Sequence, residues 1–384
     1  MIPVKDKLAW LLLTRQKVRL LVAVAGIAFA CILIFMQLGF LESLFLGATR
    51  PHDLLLADIV LAHPKLQTFF SPKSFPKSRV IQARALPEVE SVSTVRLASL
   101  PWRNPENGQH RIILVFGVDP AKPCFALPAV NENLDRLKLF RNLLFDEAGR
   151  LDYGHIKELL KKGNVDVELN KKNVRVVGLF KIGASFAADG TVITSDTTFP
   201  YLVDRTEPNA VELGLVRLRK GSDAGAVKSV LKGLYGSQVA VYTKAEFVEV
   251  EKRYWAEGTG TGFIFGLGVL VGFLVGVVIV YQILHSDVAD HLPEYATLKA
   301  IGYNNEYLLK IVFQESIILS VAGFLPGFVI TLILYQVAQD ATSLPVYMTA
   351  ERAGLVFIMA LIMCTLSASI ALRKLSQADP AEVF

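Results

Sequence analysis

Four runs of about twenty nearly unbroken apolar residues constrain this chain more than anything else in it; they lie at 20–40, 263–284, 311–335 and 353–372. A hydrocarbon layer ~30 Å thick is crossed by a helix of about that length, which satisfies its own backbone N–H and C=O groups. Each run therefore reads as a membrane span. Hydrophobic residues make up 52% of the 384 and mean hydropathy is +0.43, yet 20% are charged. That mixture fits a few spans plus a sizeable water-exposed domain. The formal charge is only +5, with no Lys/Arg run interleaved with aromatics, which argues against a nucleic-acid partner. The first run is longer than a signal-peptide core, and Gln37-Leu38-Gly39-Phe40 is a poor cleavage site, so it reads as a retained anchor.

Basic residues set the expected orientation. Lys5, Lys7, Arg15, Lys17 and Arg19 precede the first run and Arg373-Lys374 close the fourth, whereas 336–352 carries one basic residue at its end. Positive charge stays inside, so both termini are expected in the cytoplasm. The expected layout is a cytoplasmic amphipathic helix at 1–19, span one at 20–40, a periplasmic α+β domain at 41–262 and span two at 263–284. A cytoplasmic hairpin at 285–310, span three at 311–335, a short periplasmic loop at 336–352, span four at 353–372 and a cytoplasmic tail at 373–384 complete it. In the first segment Leu8, Trp10, Leu11 and Leu12 stand beside basic groups, as in a helix lying on the membrane surface.

The long interval is large enough to bury a core. Short β-branched runs bounded by turn residues predict strands at 79–82, 91–97, 111–118, 165–169, 174–180, 191–194, 211–219 and 238–242. Helical patterns fall at 134–145 and 224–234, so 211–242 reads as a β-α-β unit and the domain as mixed α+β. The Pro- and Ser-rich stretch 63–78 reads as an exposed loop. Cys31 and Cys364 lie in spans, leaving Cys124 without an intrachain partner. His52 and His63 read as surface histidines, and no Cys/His spacing matches a metal site.

Several activities find no residues to carry them. No G-x-S-x-G turn is present for a nucleophilic hydrolase. The segment 221–229 has the flavour of a phosphate loop, but Lys228 lies a turn into the following helix instead of directly after the second glycine, Gly225. No enzyme activity and no cofactor of its own are therefore expected. Ion-coupled carriers place ionisable groups at mid-membrane; here the deepest polar residues are Gln37, Gln282 and Gln314-Glu315, near span ends. Glu315 reads as an interfacial acid near Lys310 or a helix-packing contact.

The second span is built for close packing, and its glycines are expected to let the second spans of two copies meet in a dimer. Gly262 and Gly266 form one small-xxx-small step, and Gly268, Gly272 and Gly276 form two more on one helix face. Pro326-Gly327 predicts a kink in the third span. Between those spans, Asp290 and Pro293 suit a helix start and Gly302 a helix stop, with Asn304 or Asn305 capping the helix that follows. A short helix fixed to two spans can transmit a displacement.

The run HLPEYATLKAIGYNNEYLL, followed by FQESIILSVAGFLPGF, resembles FtsX-like permeases, the MacB-type ABC transporter subunits, where a charged E-x-x-x-L-K-A-x-G segment recurs. AWLLLTRQKVRLLVAVAGIAFA, MQLGF, the second span and the ending ALRKLSQADPAEVF resemble the DevC branch of cyanobacterial exporters. The resemblance is thinner across 46–202. It implies an α-helical membrane protein with four transmembrane helices and a MacB-like periplasmic domain, in the inner membrane. It also implies a homodimer working with a DevA-like cytoplasmic ATPase that binds the ATP, a DevB-like adaptor and a TolC-like channel, exporting a lipid or glycolipid. Contact with the ATPase is expected at Glu294, Tyr295, Leu298, Lys299, Gly302 and Tyr303. Two alternatives within the same architecture are an FtsX-like transducer that regulates a periplasmic hydrolase and a lipoprotein-releasing permease.

Overall fold

The computed structural model describes residues 17–204, 209–290 and 305–376. The chain divides into two units: Met1–Glu42 with Thr261–Ala338 and Val346–Phe384, and Ser43–Gly260 with Gln339–Pro345. In chain order the elements begin with α1 (Lys17–Asp53), β1 (Ile59–Ala62), β2 (Phe75–Pro76), α2 (Lys77–Ala83), β3 (Val89–Arg103) and β4 (His110–Val118). Next come α3 (Pro128–Asn131), α4 (Leu134–Leu137), β5 (Asn142–Asp146), α5 (Ile156–Lys162), β6 (Val165–Leu169), β7 (Lys172–Phe180) and β8 (Thr191–Ser195). The domain closes with α6 (Thr198–Val203), β9 (Ala210–Val211), β10 (Leu213–Leu218), α7 (Ala224–Tyr235), β11 (Ala240–Thr243) and α8 (Lys244–Arg253). A π-turn at Tyr254–Gly258 follows, then α9 (Gly260–Asp290), α10 (Asn305–Thr342) and α11 (Ala350–Ser376).

Nine strands form one sheet in the order β11-β1-β10-β3-β4-β8-β5-β7-β6. The end of β3 also pairs with β6, Trp102 opposite Leu169 and Arg103 opposite Glu168, which closes β3, β4, β8, β5, β7 and β6 into a six-stranded ring. Fifteen residues make β3 about 50 Å long, enough to serve both parts. Val89–Val95 pairs with β10 in the open sheet, and Val95–Arg103 pairs with β4 in the ring. One core cluster takes side chains from all six ring strands, with Trp102, Tyr153 and Phe199 fully buried. Another packs α2 and α7 against β1, β3, β10 and β11.

The β-α-β unit is present in split form: β10, α7 and β11 follow one another, but β1 lies between the two strands, antiparallel to both. Three expectations are corrected. Residues 79–82 are helical, inside α2, because Val80 and Ala83 bury one helix face. The helix expected at 134–145 stops at Leu137; Arg141 takes φ +68°, and the apolar remainder becomes strand β5. His52 is not on the surface but fully buried. The stretch 63–78 is irregular only until β2 and α2 begin.

In the other unit, among the described residues, four helices are long and apolar enough to cross a membrane: Lys17–Asp53, Gly260–Ser286, Phe313–Thr342 and Ala350–Ala371. They outrun the apolar stretches; at ~1.5 Å per residue the 37 residues of α1 span about 55 Å. The expected loop at 336–352 narrows to the residues between α10 and α11. α1 is the central helix, with Ala23, Ile27, Ala30, Cys31, Ile34 and Phe35 buried in one cluster with residues of the other three. The molecule thus combines four apolar spanning helices with a mixed α/β domain.

Candidate coupling site

The residues expected to meet an ATPase, Glu294, Tyr295, Leu298, Lys299, Gly302 and Tyr303, lie outside the described residues, as does most of the 1–19 segment. Their surroundings are described. α9 ends at Asp290 and α10 begins at Asn305, bracketing the segment. Arg19 at the start of α1 donates to Ser286 Oγ on α9 at 3.2 Å. Lys17, Val18, Arg19, Val22, Gln282, Ile283 and Ser286 line a groove of about 720 Å³ there. The start of α1 and the last turns of α9 therefore lie side by side.

The glycines of α9 divide into two faces. A Cβ on Gly268 would meet the Gln37 carboxamide, one on Gly272 would lie 3.2 Å from Ile34 Cγ1, and one on Gly276 would overlap Met363 Sδ. That face is taken up inside the chain, against α1 and α11. A Cβ on Gly266 would meet nothing within 4 Å. α10 approaches α1 in the same way: Gly323 lies on Ile27 and Gly327 on Ala28 and Cys31. Pro326 sits inside α10, and the helix continues through it.

A polar tie that the sequence does not announce links three of these helices. Arg352 of α11, only 5% exposed, pairs with Glu42 of α1. It donates to the Tyr335 hydroxyl of α10 at 3.0 Å and to the Tyr347 carbonyl at 2.8 Å. Tyr335 in turn donates to the Phe35 carbonyl at 2.5 Å. The one available signal was position: Glu42 and Arg352 each stand at the edge of an apolar run.

Comparison with known proteins finds one family match, over the last three of these helices. Residues 266–380 match the FtsX-like permease C-terminal family. The matched region takes in most of α9, all of α10 and α11, and the segment where contact with an ATPase is expected. No curated protein matches the chain. Among solved structures, the periplasmic region of MacB from Actinobacillus actinomycetemcomitans is similar at 10% identity and a TM-score of 0.35, over 51% of this chain and 92% of that one. The extracellular domain of the noncanonic ABC-type transporter YknZ from Gram-positive bacteria is similar at 13% identity and a TM-score of 0.34, over 48% and 99%.

Within the matched region, Glu315 is fully buried near the start of the third span. The hydroxyls of Ser316, Ser320 and Thr331 donate to carbonyls of their own helix, at 2.9, 2.8 and 2.7 Å, so they add no free polar group to the spans. In the mixed domain, among the described residues, no cluster of His, Cys, Asp or Glu is placed to hold a metal. Cys124 is buried, and desolvation pushes its thiol up to about 11. Asp146 is buried beneath four donors, the N–H groups of Ala148, Ile182 and Gly183 and the Thr191 hydroxyl. Burial raises its carboxyl above the ordinary value against these bonds, and the residue pins the turn after β5 to the one after β7.

Proposed function

We propose that this chain is the membrane-spanning subunit of a MacB-type ABC exporter, moved from the cytoplasm by a separate ATPase and acting through its extracytoplasmic domain. The observation that carries the reading is the family match over 266–380, which covers three spans and the bracketed hairpin. The basic flanks of the first and fourth runs support cytoplasmic termini and an inner-membrane topology with the mixed domain outside. The sparse ionisable content of the spans supports a machine that moves cargo without carrying it between them. Cargo is a lipid or glycolipid, handed to an adaptor and a TolC-like channel, and the subunit works as a homodimer with two copies of a DevA-like ATPase.

The hairpin gives the ATPase its lever, with Glu294, Tyr295, Leu298, Lys299, Gly302 and Tyr303 at or beside the contact. Glu294→Lys is expected to leave the protein folded and inserted while abolishing transport-linked ATP turnover in vesicles reconstituted with the ATPase. Unchanged turnover would remove the hairpin from the mechanism. Copurification of an adaptor and a channel separates export from a signal transducer of the same build, which needs neither.

A further inference from the structure

A hollow of about 880 Å³ opens on the outer face of the ring, at the seam where β3 meets β6. That is the size of a small-molecule site. Its floor is the outward face of β6 and β7: Val165, Val167, Val174 and Val176 turn into the ring core, so Asp166, Glu168, Asn173 and Arg175 turn out. The turn between β3 and β4, at 104–108, and residues 140–142 ahead of β5 form its walls. Polar groups stand in rows across the floor, Asp166 opposite Arg175 and Glu168 between Asn173 and Arg103. Arg175 grips Asp166 with two bonds, Nε to Oδ1 at 2.8 Å and Nη2 to Oδ2 at 3.2 Å, and Arg103 donates to Glu168 at 3.1 Å. These pairs hold the side chains in place without exhausting them, since a guanidinium has more N–H donors, and a carboxylate more lone pairs, than one pair uses.

Arg141, at the rim, is an unexpected residue for its backbone. It takes φ +68°, a left-handed conformation that glycine or asparagine adopts at less cost. Its N–H donates to the Thr198 hydroxyl at 3.0 Å and its carbonyl accepts from the Arg175 N–H at 2.8 Å, so the conformation is held on both sides. The guanidinium lies over the rings of Phe140 and Tyr201, 5.5 and 5.0 Å from their centroids. Phe140 itself stays 54% exposed at the edge of the hollow. Strain of this kind is commonly stored where a site needs a particular side chain.

We infer that this hollow binds a neutral carbohydrate. Small-molecule sites are mostly apolar. Here, among the described residues, Phe140 and Pro105 are the apolar side chains that the lining exposes, and its other exposed side chains are polar. A ligand must therefore be polar over most of its surface. It must also bring both donors and acceptors, because guanidinium groups only donate and carboxylates only accept. A sugar hydroxyl does both: its O–H donates to Asp166 or Glu168, and its oxygen accepts from Arg175 or Arg103. Phe140 offers an apolar ring to the C–H face of the sugar. An anion fits poorly, because Arg103, Arg141 and Arg175 are matched in the same lining by Glu106, Asp166 and Glu168, which a phosphate would have to approach. The inference rests on this lining and not on the proposed export of a lipid or glycolipid.

The test reads binding, not transport. The full chain, held in a detergent without sugar headgroups, is examined by saturation-transfer NMR with soluble neutral oligosaccharides of glucose, galactose, mannose and N-acetylglucosamine, each at about 10 mM. At least one is expected to receive saturation on its ring C–H protons. Phe140→Ala and Asp166→Asn alter exposed side chains, so neither should unfold the domain, and each is expected to weaken that binding about tenfold or more. Absence of saturation in all of these sugars overturns the inference, and so does binding that survives either substitution. Displacement of the bound sugar by inorganic phosphate would make the hollow an anion site and overturns it as well.

Discussion

At the scale of single residues, what matters is whether a backbone position has room. Gly276 has none: a side chain there overlaps Met363 and presses on Ala30. Gly276→Val should lower the thermal midpoint of the full chain in detergent, at a cost of about 1–3 kcal/mol for overpacking. Gly266→Val, facing open space, should leave it unchanged. A second residue-scale case is the capping box that starts α8. Thr243 accepts from the Glu246 N–H, and the Glu246 carboxylate accepts from the Thr243 N–H. Thr243→Ala should cost about 1 kcal/mol, seen as roughly fivefold faster hydrogen exchange in the first turn of α8. The Lys228 ammonium, and then the Thr243 N–H, hold the Glu246 carboxyl below its ordinary value. Its contribution is therefore complete above the usual glutamate range, near pH ~4.3, and fades as pH falls through the lower folded-state value. His52 shows the limit of reading at this scale. Nothing near it in sequence reveals its burial, because the rings that enclose it come from Phe69 and Phe247.

Secondary elements were legible where one periodicity or one length decided them. The spans could be read because twenty apolar residues have few other uses, and β6 and β7 because their buried positions alternate. β1 and β5 are buried at every position, so no alternation marks them, and β5 passed for the continuation of a helix. The Glu42–Arg352–Tyr335 tie was illegible for another reason: its ionic partners are 310 positions apart, and only helix packing brings them together. That tie yields a graded prediction. Tyr335→Phe removes one hydrogen-bonding group and should cost about 1 kcal/mol. Glu42→Leu takes the ionic partner from a buried guanidinium that keeps its bonds to Tyr335 and Tyr347, and should cost about 1–3 kcal/mol. The double variant Glu42→Leu with Arg352→Met should be more stable than Glu42→Leu alone, since it removes the buried charge together with its ionic partner. Equal losses in all three, by thermal unfolding of the purified full chain, would mean that the tie contributes packing and no electrostatics.

For the molecule as a whole, the division into spanning helices and a mixed domain followed from hydropathy alone. The closed ring did not, because the pairing of β3 with β6 joins strands with no sequence signature in common. The glycine pattern of the second span was readable as a packing face, but the expected partner was the second span of another copy, whereas Gly268, Gly272 and Gly276 meet α1 and α11 of their own chain. In the proposed homodimer this choice has a consequence. The face of Gly268, Gly272 and Gly276 is filled by α1 and α11 of the same chain. At ~100° per residue, Gly266 points roughly 160° away from Gly268, to the side left open. Cys31, Cys124 and Cys364 are all buried, so the chain brings little thiol background of its own. If two copies meet through their second spans, Gly266→Cys should form an intermolecular disulfide in membranes treated with a mild oxidant, and Gly272→Cys should not. Cross-linking through position 272 alone would require α9 to leave α1 in the assembled protein, and would move the dimer contact to the glycine face that the single chain keeps for itself.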